Sequence, residues 1–169
     1  MKNQSDNLQA SQKQPLIVDV QVDIADDECE EPPSSAQLRL WARAAYAECA
    51  NSPAELSIRI TDLDEMKILN ESFRGKSGAT NVLSFPVDAS ELPAPMETRL
   101  LGDVVICHPV VLEEAQSQAK DLTAHYSHMV THGVLHLCGY DHQTDQQASE
   151  MESLETQILQ GLGVANPYA

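Results

Sequence analysis

The chain has few of the features expected of a nucleic-acid binder. Only 4% of its 169 residues are aromatic, and 10 Lys or Arg stand against 26 Asp or Glu, a formal net charge of −16. That balance repels nucleic acid and anionic membranes at long range, so a role on either needs a local positive site. The deficit is uneven. No Lys or Arg follows Lys120, whereas Asp121, Asp141, Asp145, Glu150, Glu152 and Glu155 do, and Arg59, Lys67, Arg74 and Lys76 crowd into one earlier stretch. If those bases face the functional site, a positive cleft is possible on an acidic body. No run reaches the roughly 18–20 apolar residues of a membrane helix. The polar start MKNQSDNLQASQKQ has no apolar segment of signal-peptide type. Cys29, Cys49, Cys107 and Cys138 form no CxxC pair. Without an export signal they read as reduced thiols of a cytoplasmic protein with no membrane partner.

What is present reads as one α+β domain over residues 15–169, preceded by a polar extension, 1–14, expected to be disordered. LIVDVQV (Leu16 to Val22) and ELSIRIT (Glu55 to Thr61) alternate as strands. Thr80 to Phe85, stopped by Pro86, and the apolar run Gly102 to Cys107 add two more. Asp26 to Glu31 and residues 88–99 read as loops. Ser34 or Ser35 caps a first helix through Ala47, and Asp62 a second ending near Phe73. Pro109 opens a third that continues through Ala119. Leu122 to Cys138 forms a fourth helix stopped by Gly139, and a fifth runs from Asp145 to about Leu162. The expectation is a mixed sheet of about four strands packed with about five helices.

Residues 132–142 read H-G-V-L-H-L-C-G-Y-D-H. His132 and His136 lie four apart on the fourth helix, so both imidazoles leave one face within reach of one ion. Gly139 can take positive φ, end the helix and let the chain return His142 to the same place. Three nitrogen ligands leave the fourth tetrahedral position open, the catalytic pattern for zinc, at one ion per chain. His125 and His128 lie upstream on the same helix and read as non-ligands; His108 reads as structural. Asp103, Asp141 and Asp145 are candidates to orient a ligand's second nitrogen, with Asp141 equally readable as a turn residue. Ser84 faces either the cleft or a hydrogen-bonded neighbour. The spacing matches the zinc-peptidase pattern H-E-x-x-H-x-x-G-x-x-H, except that Gly133 stands where the general-base glutamate belongs. Peptide hydrolysis is therefore the lesser alternative.

The histidine motif closely resembles the signature of the YbeY family of bacterial rRNA maturation endoribonucleases. Leu69-Asn70 to Arg74, Thr80-Asn81-Val82-Leu83-Ser84-Phe85-Pro86 and Leu101 to Cys107 agree as well and follow in the same order, so the resemblance spans about residues 55–168. It implies a single-domain α+β fold with a zincin-like metal helix, zinc on His132, His136 and His142, and single-strand endoribonuclease activity. The resemblance further implies action on the 3′ end of the 16S rRNA precursor and in ribosome quality control. By analogy, small-subunit ribosomal proteins and an assembly GTPase are partners. The family's essential arginine falls on Arg74, whose guanidinium fork suits two phosphate oxygens. A non-catalytic ribosome-assembly factor with a structural metal remains the other alternative.

Overall fold

A computed structural model describes residues 15–25, 30–92 and 97–169. The expected extension 1–14 and parts of the two expected loops (26–29 and 93–96) lie outside the described residues. Ten elements follow in order: β1 (Leu16–Val22), α1 (Ser35–Ala47), β2 (Ala54–Thr61), α2 (Leu63–Arg74), β3 (Val82–Pro86), a single 3-10 turn (Ala89–Glu91), β4 (Arg99–Cys107), α3 (His108–Ser117), α4 (Leu122–Leu137) and α5 (Asp145–Gly161). The sheet order is β1-β2-β4-β3; β1, β2 and β4 run parallel, and β3 pairs antiparallel with β4 at one edge. The α+β class and the mixed four-stranded sheet with five helices are as the sequence implies.

Period-two burial sets which face of the sheet meets which helix. In β2, Ala54, Leu56, Ile58 and Ile60 are buried while Glu55, Ser57 and Arg59 alternate with them. In β4, Val104 and Ile106 join Ile58 and Ile60 in a large core with Leu38, Trp41 and Ala45 of α1, Tyr126, Val130 and Val134 of α4, and Met151 and Ile158 of α5. The opposite face carries a small cluster, Met66 of α2 with Leu83, Val105 and Cys107. Each large apolar side chain fully buried contributes about 1.5–3 kcal/mol, so α4 is held on the sheet far more firmly than helix propensity alone could hold it.

Two expectations shift. β4 begins at Arg99, three residues earlier than the apolar run, because Arg99 to Leu101 still pair with Ala54 and Glu55 of β2 or precede a register shift there. The basic concentration does not line up beside α4. Arg59 lies on the other face of the sheet, bonded to Glu65 at 2.8 Å and Asp23 at 3.1 Å. Its charge is already matched.

Candidate metal centre

The site is built by the end of α4 and the bend after it. Asp121 caps the helix start by accepting from the Ala124 amide at 3.0 Å. At the far end Gly139, at φ 101°, supplies the left-handed residue, the Gly139 amide donates to the His136 carbonyl at 3.1 Å, and the Tyr140 amide donates to the Leu135 carbonyl at 3.1 Å. These two bonds are the Schellman closure, and they reverse the chain. His142 returns over the helix end, its ring stacked on His132 at 5.6 Å and edge-on to His136 at 4.9 Å. One ligand atom from each of His132, His136 and His142 lies within 4.8 Å of the others.

Second partners decide which nitrogens face inward. His136 Nδ1 donates to the Tyr140 carbonyl at 2.9 Å, and His132 Nδ1 to Glu155 Oε1 at 2.6 Å. A carbonyl can only accept. The Glu155 carboxyl, although burial opposes its charge, is held at about 2 by hydrogen bonds from His128, His132 and Tyr168 and so is ionised. Both Nδ1 atoms therefore carry hydrogen, and in the neutral rings both Nε2 atoms are left with lone pairs. Those lone pairs face each other at 3.1 Å. Burial, then the neighbouring His132 and His142, pull the His136 imidazole down to about 4, so at neutral pH its Nε2 presents a lone pair open to a cation. For zinc–nitrogen bonds of about 2.0–2.1 Å the tetrahedral edge is about 3.3 Å, close to the observed separation. The negative end of the α4 dipole also lies here and favours a positive ion. The residues fit a divalent metal.

The carboxylate that meets a ring of the group comes from α5, but it is Glu155 and not the candidate Asp145 at the start of that helix. Asp141 accepts from the His142 amide at 2.8 Å and acts as a turn residue. Asp103 is bonded to Ser57 on the opposite face of the sheet, and Asp145 is exposed in the first turn of α5. None of the three touches a ligand ring. Glu155 does, and one signal could have found it: it falls on the apolar stripe of α5, with Met151, Ile158 and Leu159, where an acid is out of place. The remaining histidines lie outside the His132–His136–His142 group, although His128 forms a second close group with His132 and Glu155. His125 Nε2 meets Glu114 at 2.7 Å, His128 Nε2 meets Glu155 at 2.9 Å, and buried His108 bonds Tyr126 and the Glu30 carbonyl. Cys49 and Cys138 are thiols outside any disulfide.

Gly133 has a steric reason to lack a side chain. A Cβ built there lies 2.6 Å from Val104 Cγ1 and 3.1 Å from Cγ2, and the Gly133 carbonyl accepts from Ser84 Oγ at 3.0 Å. The position reserved for glutamate in the peptidase pattern is pressed against the sheet. Ser84 is thus a hydrogen-bonded spacer that seats α4 on β3. Arg74 ends α2, exposed and without a hydrogen bond or ion pair among the described residues. It is not in contact with the histidines. Its neighbour Phe73 packs edge-on against Phe85 at 5.1 Å, on the face of β3 away from α4.

A family model described as Endoribonuclease YbeY matches residues 21–163. The chain belongs to the YbeY family. That places this centre in an endoribonuclease, a hydrolase whose substrate is RNA. The matched span includes Arg74, Gly133, all three histidines of the centre and Glu155, and stops short of Tyr168. Among solved structures, the solution structure of a Thermotoga maritima protein is similar over 86% of this chain and 91% of its own, at 19% identity and a TM-score of 0.54. That likeness shows the YbeY-type fold. No helix among the described residues is long and apolar enough to cross a membrane.

Proposed function

We propose that the protein is a zinc-dependent, single-strand-specific endoribonuclease, with one zinc per chain on His132, His136 and His142 and the scissile phosphate held by Arg74. The observation that carries this reading is the facing pair of imidazole lone pairs at 3.1 Å, backed by two committed Nδ1–H donors. Three neutral imidazoles leave a bound divalent ion its full charge, so it serves as a Lewis acid for the phosphodiester. The chain's own residues do the rest. His132 and His136 keep their tautomers through Glu155 and the Tyr140 carbonyl, and Arg74 offers two parallel donors to phosphate oxygens and to the charge that develops on them. In this reading the substrate strand engages Arg74 and the histidine centre together, away from base-pairing partners. A flexible single strand can do that; a stiff duplex cannot.

The net charge of −16 is compatible with this. At physiological ionic strength the Debye length is about 8 Å, so distant acidic groups are screened while contacts inside the site are not. The substrate in this reading is the 3′ end of the 16S rRNA precursor, in the cytoplasm, and the protein works in ribosome quality control. Small-subunit ribosomal proteins and an assembly GTPase supply the selectivity that a surface poor in aromatics does not.

The test uses purified full-length protein, metal analysis, and incubation with single-stranded RNA, duplex RNA and an unstructured protein. The expected result is one zinc per chain and cleavage of single-stranded RNA alone. Arg74→Ala should keep its zinc and lose at least about 100-fold in cleavage, the scale of removing one transition-state donor. A folded, zinc-replete Arg74→Ala with undiminished cleavage would overturn the role given to Arg74, and cleavage of the protein substrate alone would overturn the ribonuclease reading.

A further inference from the structure

Glu155 is the one acidic residue buried among the described residues, with 0% of its surface exposed. A buried carboxylate is costly unless its oxygens are matched, and packing between α4 and α5 alone would be served as well by a leucine. Its oxygens are fully matched. Oε1 accepts from His132 Nδ1 at 2.6 Å, and Oε2 accepts from His128 Nε2 at 2.9 Å and from the Tyr168 hydroxyl. Tyr168 also packs edge-on against His128 at 5.4 Å. The Tyr168 amide donates to Asn166 Oδ1 at 2.8 Å, which fixes the turn that delivers the ring. The last residues of the chain thus reach back to a carboxylate that touches a metal-site ring.

We propose that Glu155 is a positioning residue of the metal centre, and that Tyr168 in the C-terminal segment holds it there, so that the tail is part of the site. The inference rests on the metal reading given above and deepens it. Glu155 acts through His132: it keeps hydrogen on Nδ1, points Nε2 at the ion and raises the basicity of that ligand. His128 and Tyr168 act one step further out. They satisfy Oε2, so that Oε1 stays on His132 and the carboxylate does not rotate away. This also explains why His128, one turn before His132 on the same helix face, is not a fourth ligand. Its Nε2 is committed to Glu155.

The test is the dissociation constant for Zn2+, by chelator competition, and the visible spectrum of the Co2+-loaded protein. Glu155→Gln, Tyr168→Phe and, as a control on the exposed side of α5, Glu152→Gln are compared with the wild-type chain. The expected result is binding about 10–100-fold weaker in Glu155→Gln with an altered Co2+ spectrum. Tyr168→Phe should weaken it about 3–10-fold, the share of one hydrogen bond, and Glu152→Gln should not change it. Melting temperatures are measured alongside, because a purely structural role would lower stability and leave the Co2+ spectrum and metal affinity of the folded protein intact. Folded Glu155→Gln and Tyr168→Phe with wild-type affinity and spectrum overturn the proposal. If Glu155→Gln does not fold, Tyr168→Phe decides on the same criterion. A wild-type chain that binds no metal overturns the metal reading itself, which is a different result.

Discussion

The helix α4 carries two pairs of histidines on neighbouring turns, and the pairs do different things. His125 and His128, in its first half, point an Nε2 at the carboxylates of Glu114 and Glu155. His132 and His136, in its second half, turn Nδ1 outward, to Glu155 and to the Tyr140 carbonyl, and bring their Nε2 atoms face to face. Residue type and helix are the same, and the spacings, three residues and four, both keep each pair on one face. What separates the proposed ligands from the other pair is which ring nitrogen the surroundings occupy, and Glu155 shows both outcomes at once, taking Nε2 from His128 and Nδ1 from His132.

The comparison breaks most visibly if one member of the second pair is removed. His136→Ala should lose the metal and, with it, RNA cleavage to background, as measured by metal content per chain and by single-strand cleavage. His128→Gln should keep one metal per chain with only a modest loss of affinity, since it touches the centre through Glu155. Equal metal loss in the two variants would erase the distinction between the pairs.

A smaller effect tests why the second pair sits where it does. Gly→Ala in a helix interior normally stabilises by about 1 kcal/mol. At position 133 the new methyl would meet Val104, a stiff, fully buried side chain of β4, at 2.6 Å. Gly133→Ala is therefore expected to destabilise by about 1–3 kcal/mol, the usual cost of overpacking, read from urea unfolding. Adding Val104→Ala should recover part of the loss by opening room for the methyl. A Gly133→Ala variant more stable than wild type would show that α4 is not seated tightly on the sheet, and the steric account of the missing glutamate would fall.

How much of this could be read beforehand depends on the range of the interaction. The elements and the three histidines were legible because their signals are local: alternation in ELSIRIT, a cap at Asp62, a glycine stop three residues after His136. Arg59 was read as free to face the site because its partners, Glu65 and Asp23, reach it only once β2, α2 and the segment after β1 are assembled. Of the three candidate aspartates, Asp141 and Asp145 stand near the histidines in sequence, and nearness in sequence does not place a carboxylate on a ring nitrogen. The carboxylate that does the work lies 13 residues beyond His142, on another helix, and its one local trace is an acid on an apolar stripe. Gly133 was legible as a missing base, while the reason for it, Val104, sits in a strand 29 positions away.

A last effect concerns protons. In the metal-free protein His136 is held at about 4, by burial first and by His132 and His142 next, whereas an unfolded histidine titrates near 6.5. Between those values the unfolded chain binds more protons than the native one, so stability is whole above about 6.5 and declines as the pH falls towards about 4. Glu155 extends the decline: its unfolded value is 4.5 and its folded one about 2, so its contribution is present above about 4.5 and is lost as the pH falls from there towards 2. Denaturant unfolding of chelator-treated protein at a series of pH values should therefore show a slope that begins near 6.5. His136→Ala should flatten the upper part and leave the part below about 4.5 in place. A wild-type profile that is level from neutral pH down to about 4.5 would mean that the buried imidazole accepts its proton freely, and the facing lone pairs on which the metal assignment rests would be relieved without an ion.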